Sequence, residues 1–291
     1  MEVPGHLLIF GLGYTGRAIG LAAAAAGYVV SATSRQSGMT APPGIDVIPF
    51  EAAAAAIAAA SHVVATAAPD ADGDPALARY GAALAEAPGL RWIGYLSSTG
   101  VYGDRGGAWV DEASAPAPTS RRATARRAAE EAWVALGAAR GTAVDIIRLA
   151  GIYGPGRSSF DDLRAGRARR IDKPGHAFGR IYRDDIGEGT LAAMGQAPSL
   201  GGTRILNFND DLPAEPAVVV EEAARLLGVP PPPLVPFAEA EAGMTSMGRS
   251  FWAESRRVSS ARTQAALGRA WQYPTFREGL RAILAQERPA A

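Results

Sequence analysis

Close to its N-terminus the chain runs His6-Leu7-Leu8-Ile9-Phe10-Gly11-Leu12-Gly13-Tyr14-Thr15-Gly16 and then into an alanine-rich stretch ending near Ala26. A short apolar run, a glycine-rich break and a run of good helix formers predict a buried strand, a turn and a helix over 15–26. Gly11, Gly13 and Gly16 stand in Gly-x-Gly-x-x-Gly spacing, and each has a physical task. The first permits a tight turn, the second lets the backbone approach a pyrophosphate, and the third lets helix and strand pack closely. The start of the helix then offers oriented amides and a partial positive charge to phosphate groups. Gly11, Leu12, Gly13, Tyr14, Thr15 and Gly16 are therefore the expected dinucleotide cradle.

The next strand, over 28–33, selects among dinucleotides. A site for NAD usually closes this strand with an acid that holds the ribose hydroxyls. Here it closes with Thr33-Ser34-Arg35, and no acid follows until Asp46. Arg35 can pair with a 2′-phosphate and stack on adenine, and Ser34 adds a hydroxyl, so NADP (NADPH) is favoured. The plainer alternative makes Arg35 a solvated loop residue. Ala67, Ala68 and Pro69 follow a strand over 62–66, and Ser97 and Ser98 follow one over 91–96. Ligands of open parallel sheets bind beyond such carboxyl ends.

Further along, the pattern predicts helices over 51–60, 74–87 and 120–140, with Asp74 as cap and Pro75 at the first helical position of the second. A strand is expected over 144–149. Alternating strands and helices define an α/β class, a Rossmann-type doubly wound parallel sheet with a smaller C-terminal α/β substrate lobe. The expected division is 1–154 for dinucleotide binding, completed by 183–210, with 155–182 and 211–291 forming the lobe. There a glycine-rich loop over 151–156, a basic helix over 160–170, helices over 184–194 and 214–227, and a strand over 203–208 are expected.

Composition narrows the chemistry. The 291 residues carry 29 basic and 29 acidic side chains, a balance unsuited to gripping nucleic acid through its phosphates. With no cysteine, thiolate chemistry and thiolate metal sites are excluded, and the three histidines make a multi-histidine metal centre improbable. Lys173 is the only lysine, so no phosphate-binding Gly-Lys-Ser/Thr string exists. With no apolar run long enough for a membrane and no cleavable leader pattern, the chain is expected to be soluble and cytoplasmic.

Four motifs occur together: Gly11–Gly16, Ser97-Ser98-Thr99-Gly100-Val101-Tyr102-Gly103, Arg148 through Tyr153-Gly154-Pro155-Gly156, and Arg183-Asp184-Asp185-Ile186. In that order and spacing the chain, from residue 6 to about 283, resembles the extended short-chain dehydrogenase/reductases, the NAD-dependent epimerase/dehydratase family. Asn207-Phe208-Asn209-Asp210-Asp211 and the Leu267-Gly268 to Tyr273-Pro274 tail also suit it. It departs at two places. Phe10 stands where the family's commoner spacing has its first glycine. The family's Tyr-x-x-x-Lys dyad is missing: alignment on Glu130 places Arg122 at the tyrosine and Arg126 at the lysine, and Arg169 precedes the sole lysine by four.

The resemblance implies that the tyrosine would exchange a proton with substrate while the lysine holds the nicotinamide ribose. It gives Ser98 the task of polarising a substrate oxygen and places Asp74 near a family asparagine, although capping accounts for Asp74 as well. Arg126 has donors enough for the ribose, but a guanidinium stays protonated and is no base. Arg122, one turn away, shares its face, and the pair implies an anionic neighbour. Tyr102 and Tyr153 are the alternative phenols; packing is the commoner use of both. Ile152 lies at the cofactor edge of the next motif. Arg164, Arg167, Arg169 and Arg170 suit either an anionic substrate or a solvated face, and His176 is a lone histidine in the same lobe. The chain thus looks most like the atypical members, and two functions follow. One is an NADP-dependent oxidoreductase or epimerase/dehydratase on a small polar, anionic or sugar-like substrate, pairing as a homodimer as extended members often do. The other is a non-catalytic NADP(H)-binding sensor or interaction protein.

Overall fold

The computed structural model describes residues 5–36, 38–70, 72–199 and 201–287. The chain begins β1 (His6–Phe10), α1 (Tyr14–Ala25), β2 (Val29–Ser34), β3 (Ile45–Pro49), α2 (Ala54–Ala59), β4 (His62–Ala65), α3 (Pro75–Glu86) and β5 (Trp92–Ser98). It continues through β6 (Trp109–Val110), α4 (Arg121–Arg140), β7 (Ala143–Leu149), β8 (Gly151–Tyr153), α5 (Ser159–Arg164), β9 (Arg170–Asp172), β10 (Arg180–Tyr182), α6 (Arg183–Gly195) and β11 (Thr203–Phe208). Last come α7 (Pro216–Leu227), β12 (Leu234–Pro236), α8 (Phe237–Ala242), α9 (Ser246–Ala253), β13 (Arg257–Val258), α10 (Ala261–Leu267) and α11 (Phe276–Glu287).

A seven-stranded sheet in the order β11-β7-β5-β4-β1-β2-β3 is the frame. β1 lies parallel to both β2 and β4, with Ile9 opposite Ala32 on one side and Val64 on the other. The strand order reverses between β1 and β4, the crevice where doubly wound sheets take their ligands. Helices flank the sheet, and the central strands β1, β4 and β5 are mostly apolar and buried because both faces are covered. Phe10, Tyr80, Tyr95 and Trp133 anchor one core cluster. The expected Rossmann-type fold is the one observed.

Contacts divide the chain into two compact units. The first holds Met1–Val101, Arg121–Arg148 and Arg183–Leu206; the second holds Tyr102–Ser120, Leu149–Tyr182 and Asn207–Ala291. Residues 102–120 and 149–154 thus fall in the second unit. Its strands form two-stranded sheets, β10 with β8, β12 with β9 and β13 with β6, all parallel.

Three expected elements are corrected. Residues 151–153 are a strand, not loop, because their backbone pairs with 180–182. The helix expected over 160–170 is only Ser159–Arg164. A capping box between Ser158 and Asp161 opens it, Gly166 at φ +63° stops it, and Arg170 begins β9 instead. The 51–60 helix is likewise shorter, since a 3₁₀ turn occupies Phe50–Ala52. Among the described residues no helix is long and apolar enough to cross a membrane.

Candidate functional site

In the first unit the glycine turn is fixed from two sides. Gly11 adopts φ +103°, and its amide donates to Thr33 Oγ1 (3.1 Å) while the Leu12 amide donates to the Thr33 carbonyl (2.9 Å). From β4, Thr66 Oγ1 donates to the Gly11 carbonyl at 2.7 Å. A Cβ on Gly16 would stand 2.2 Å from that same carbonyl, so helix and turn close on each other only because residue 16 is glycine. Gly13 is the opposite case. It precedes α1 in extended geometry, no side chain caps the helix there, and a Cβ would meet nothing within 4 Å. Its face is open, and the first amides of α1 are left without a side-chain cap.

Tyr14 and Thr15, both half-buried, open α1. At the end of β2, Arg35 is exposed, and no hydrogen bond or ion pair holds it among the described residues. Ser34 does not reach outward: its Oγ accepts the Gln36 amide (2.9 Å) and donates to the Gln36 carbonyl (3.2 Å). Ala68 is exposed, and Ala67 and Pro69 are half-buried, beyond β4.

Arg126 reaches the carboxyl ends of β4 and β5. Its Nη1 donates to the Leu96 carbonyl (2.6 Å), the Ala67 carbonyl (3.2 Å) and the Tyr95 hydroxyl (3.2 Å), with the guanidinium over the Tyr95 ring. No ion pair joins Arg126 to a carboxylate among the described residues; the carboxyl on which its charge acts is that of Asp74. That residue caps α3 through Ala76 (2.9 Å) and Leu77 (3.2 Å), and burial pushes its carboxyl above the usual range against those amides and Arg126. Burial also pushes the Tyr95 phenol up to about 12. Arg122, by contrast, is exposed. Ser98 Oγ accepts the Gly100 amide (3.1 Å) and stays half-buried. Ser97, expected at the cofactor edge, is turned inward: its hydroxyl donates to Glu130 at 2.7 Å.

In the second unit Tyr102 is fully buried, and its phenol donates to Asn207 Oδ1 (2.8 Å), which makes it a packing residue rather than a proton donor facing substrate. Tyr153 is packed edge-on against Tyr182 and donates to the Thr275 carbonyl at 3.4 Å. Ile152 lies in β8 opposite Ile181. Three of the arginines proposed for an anionic substrate already meet carboxylates: Arg164 meets Glu287, Arg167 meets Asp162, and Arg170 meets Glu221. Lys173 sits 4.1 Å from the Phe237 ring centroid, and its Nζ donates to the Trp252 carbonyl. An open cleft of about 340 Å³ is lined by Trp109, Asp211, Glu215 and Arg257 and contains none of the expected site residues. Sequence reasoning missed the buried Glu130–Arg148 pair, the contact of Arg183 with Tyr14 and the isolated carboxyl of Asp210. Each of these residues stood in or beside a quoted motif, but none of their contacts had a local signal.

No family model matches the chain. Its sheet order and glycine turn make a Rossmann-type α/β fold. Two solved structures share that fold. MoeE5 in complex with UDP-glucuronic acid and NAD is 20% identical, with TM-score 0.76 over 98% of this chain and 100% of that one. The human epimerase family protein SDR39U1 with NADPH is 19% identical, with TM-score 0.71 over 97% and 100%. The chain belongs to one family with a functionally unknown conserved protein from Silicibacter pomeroyi DSS, which is 39% identical with TM-score 0.86 over 97% of this chain and 99% of that one. Protein YeeZ of Escherichia coli (strain K12) is 36% identical over 140 residues, 47% of each chain. The match thus spans about half the length of that curated relative.

Proposed function

We propose that the first unit binds NADPH and that the chain is an NADP-dependent oxidoreductase or epimerase/dehydratase acting on a small polar, sugar-like substrate. The observation that carries this reading is the uncapped, exposed Gly13 cradle together with an exposed Arg35 at the end of the neighbouring strand. The structural likeness to MoeE5 with NAD and a nucleotide sugar, and to SDR39U1 with NADPH, supports a nicotinamide dinucleotide and a sugar-like substrate.

The amides of the glycine turn would hold the pyrophosphate, Arg35 the 2′-phosphate, and Arg126, fixed by two carbonyls, the nicotinamide ribose. The dinucleotide supplies a hydride acceptor or donor. Ser98 keeps a hydroxyl for polarising a substrate oxygen. With arginines in both dyad positions and the Tyr102 phenol turned inward, the proton comes from water or substrate. That same scarcity of proton donors favours the second reading, an NADP(H)-dependent sensor; consumption of NADPH on addition of a nucleotide sugar separates the two.

Binding is tested first. Charge-assisted contacts to a 2′-phosphate are worth about 1.5–3 kcal/mol, or about one to two decades of affinity for NADPH over NADH. Arg35→Ala should erase that preference; equal affinities in the wild type would refute the NADP assignment. Gly13→Val has room to fold, since nothing lies within 4 Å of its Cβ, and should abolish nucleotide binding. A folded Gly13→Val that binds NADPH normally would displace the cofactor from this turn.

A further inference from the structure

We propose that Arg183 is a pyrophosphate-binding residue of the dinucleotide site, held at the glycine turn by Tyr14. The proposal rests on the NADPH reading above and names a residue that reading does not use. Its basis is the alignment of two helices within the first unit. A Cβ on Gly187 would stand 2.9 Å from the Ala18 carbonyl, so α6 lies against α1 with almost no gap. One turn earlier on each helix are Arg183 and Tyr14, and the Arg183 guanidinium stands 5.4 Å from the Tyr14 ring centroid. The two contacts step in the same direction along both helices, so α1 and α6 run parallel and begin level. Arg183 is therefore tied to the residue immediately following Gly13.

The chemistry of that position is specific. A pyrophosphate carries negative charge, whereas the amides of a glycine turn supply hydrogen bonds without a formal charge. A guanidinium brings charge and a planar fork suited to phosphate oxygens, and it stacks on an aromatic face as the ammonium of a lysine does less well. Arg183 is oriented at its inner nitrogen, with Nε donating to Asp184 Oδ1 at 2.8 Å. That bond and the Tyr14 ring set the plane of the fork at the glycine turn.

The test separates this role from that of Arg35 and from a bare ion pair at the helix start. NADPH, NADH and adenosine 2′-phosphate, which lacks the pyrophosphate, are titrated against wild type, Arg183→Gln, Tyr14→Leu and Asp184→Asn, each checked for unchanged thermal unfolding. Arg183→Gln should weaken NADPH and NADH by the same factor, about tenfold or more, and leave adenosine 2′-phosphate unchanged. Tyr14→Leu should follow it with a smaller loss, and Asp184→Asn, which removes a competing anion, should tighten both dinucleotides. Arg183→Gln binding both like wild type overturns the proposal, as does a loss confined to turnover or substrate KM, or Asp184→Asn weakening both dinucleotides. In those cases the NADPH reading survives. A wild type that binds neither dinucleotide removes both.

Discussion

Glu130 in the first unit and Asp210 in the second are each only 1% exposed, and their surroundings differ completely. Glu130 Oε1 accepts the Ser97 hydroxyl (2.7 Å) and Arg148 Nε (2.9 Å). Its Oε2 accepts Arg148 Nη2 (2.8 Å) and Arg127 Nη1 (3.2 Å). Neither carboxyl oxygen of Asp210 has an aligned donor among the described residues, nor has Oδ1 of the adjacent Asn209. Burial pushes the Asp210 carboxyl up to about 8; Arg180 and the amides of Arg180 and Leu212 pull it only part of the way back, and Asp211 opposes them. A buried charge persists when every lone pair is met, and otherwise a carboxyl keeps its proton. The first unit thus stores an ionic clasp joining α4 to the ends of β5 and β7, while the second stores a neutral acid.

The largest effect should come from breaking the clasp. Arg148→Met leaves the buried Glu130 with only the longer Arg127 contact and the Ser97 hydroxyl, and should cost about 3 kcal/mol, because the bidentate partner of a buried charge is lost. Adding Glu130→Leu to that variant should recover most of the loss, since removing both partners is far less harmful than removing one. Urea unfolding of the single and double variants measures this. If Arg148→Met proves as mild as an exposed arginine substitution, the contrast with Asp210 disappears.

The second prediction concerns the neutral acid. The folded-state pKa lies above the unfolded value, so the stability this proton contributes is complete below about pH 3.9 and is lost progressively as pH rises through about 8. Asp210→Asn cannot lose a proton. Its stability relative to wild type should rise across that window, reaching a few kcal/mol by pH 8, since each decade of displaced acidity is worth about 1.4 kcal/mol. Chemical denaturation at pH 5, 6.5 and 8 follows the divergence. Parallel wild-type and Asp210→Asn curves would mean that Asp210 is ionised and solvated like an ordinary carboxylate.

This contrast also marks where the sequence stopped being readable. The Gly11–Gly16 turn, the cap at Asp74 and the alternation of 6–98 are local patterns, and they reappear within a residue or two in β1 to β5, α1 and α3, whereas α2 begins three residues later than expected. Arg126 could be placed by counting along one helix. Glu130 could not be understood that way, because Ser97 and Arg148 lie 33 and 18 residues from it. β8 escaped notice because three residues of a Gly-Ile-Tyr run have no alternation to show, and their partners lie in β10. Tyr102 looked available for chemistry because its partner, Asn207, is 105 residues away. Asp210 stood in an Asn-Asp-Asp string that reads as solvated loop, and only tertiary packing reveals that its carboxyl is dry.

The smallest expected effect lies at His176, which tests whether the second unit treats a buried base as it treats a buried acid. The imidazole is 5% exposed, lies flat against Trp252 with centroids 5.4 Å apart, and meets the Phe178 ring edge at 4.8 Å. Its Nε2 has no partner among the described residues. Burial holds its pKa below the ordinary value and Lys173 adds to this; the Phe251 carbonyl and Asp104 oppose, while Arg256 reinforces. A depressed pKa means that the folded state binds the proton less readily than the unfolded one. The stability tied to neutral His176 is therefore complete above about pH 6.5 and is lost as pH falls. His176→Phe keeps the ring stack and removes the orphaned nitrogen, at the loss of one hydrogen bond to the Phe251 carbonyl. At pH 7.5 these nearly offset, within about 1 kcal/mol. At pH 5 the phenylalanine variant should be the more stable of the two, and its unfolding midpoint should depend less on acid than that of wild type. Equal acid dependence would show that His176 takes up its proton freely in the folded chain, and the second unit would then hold one unpaired ionisable group rather than two.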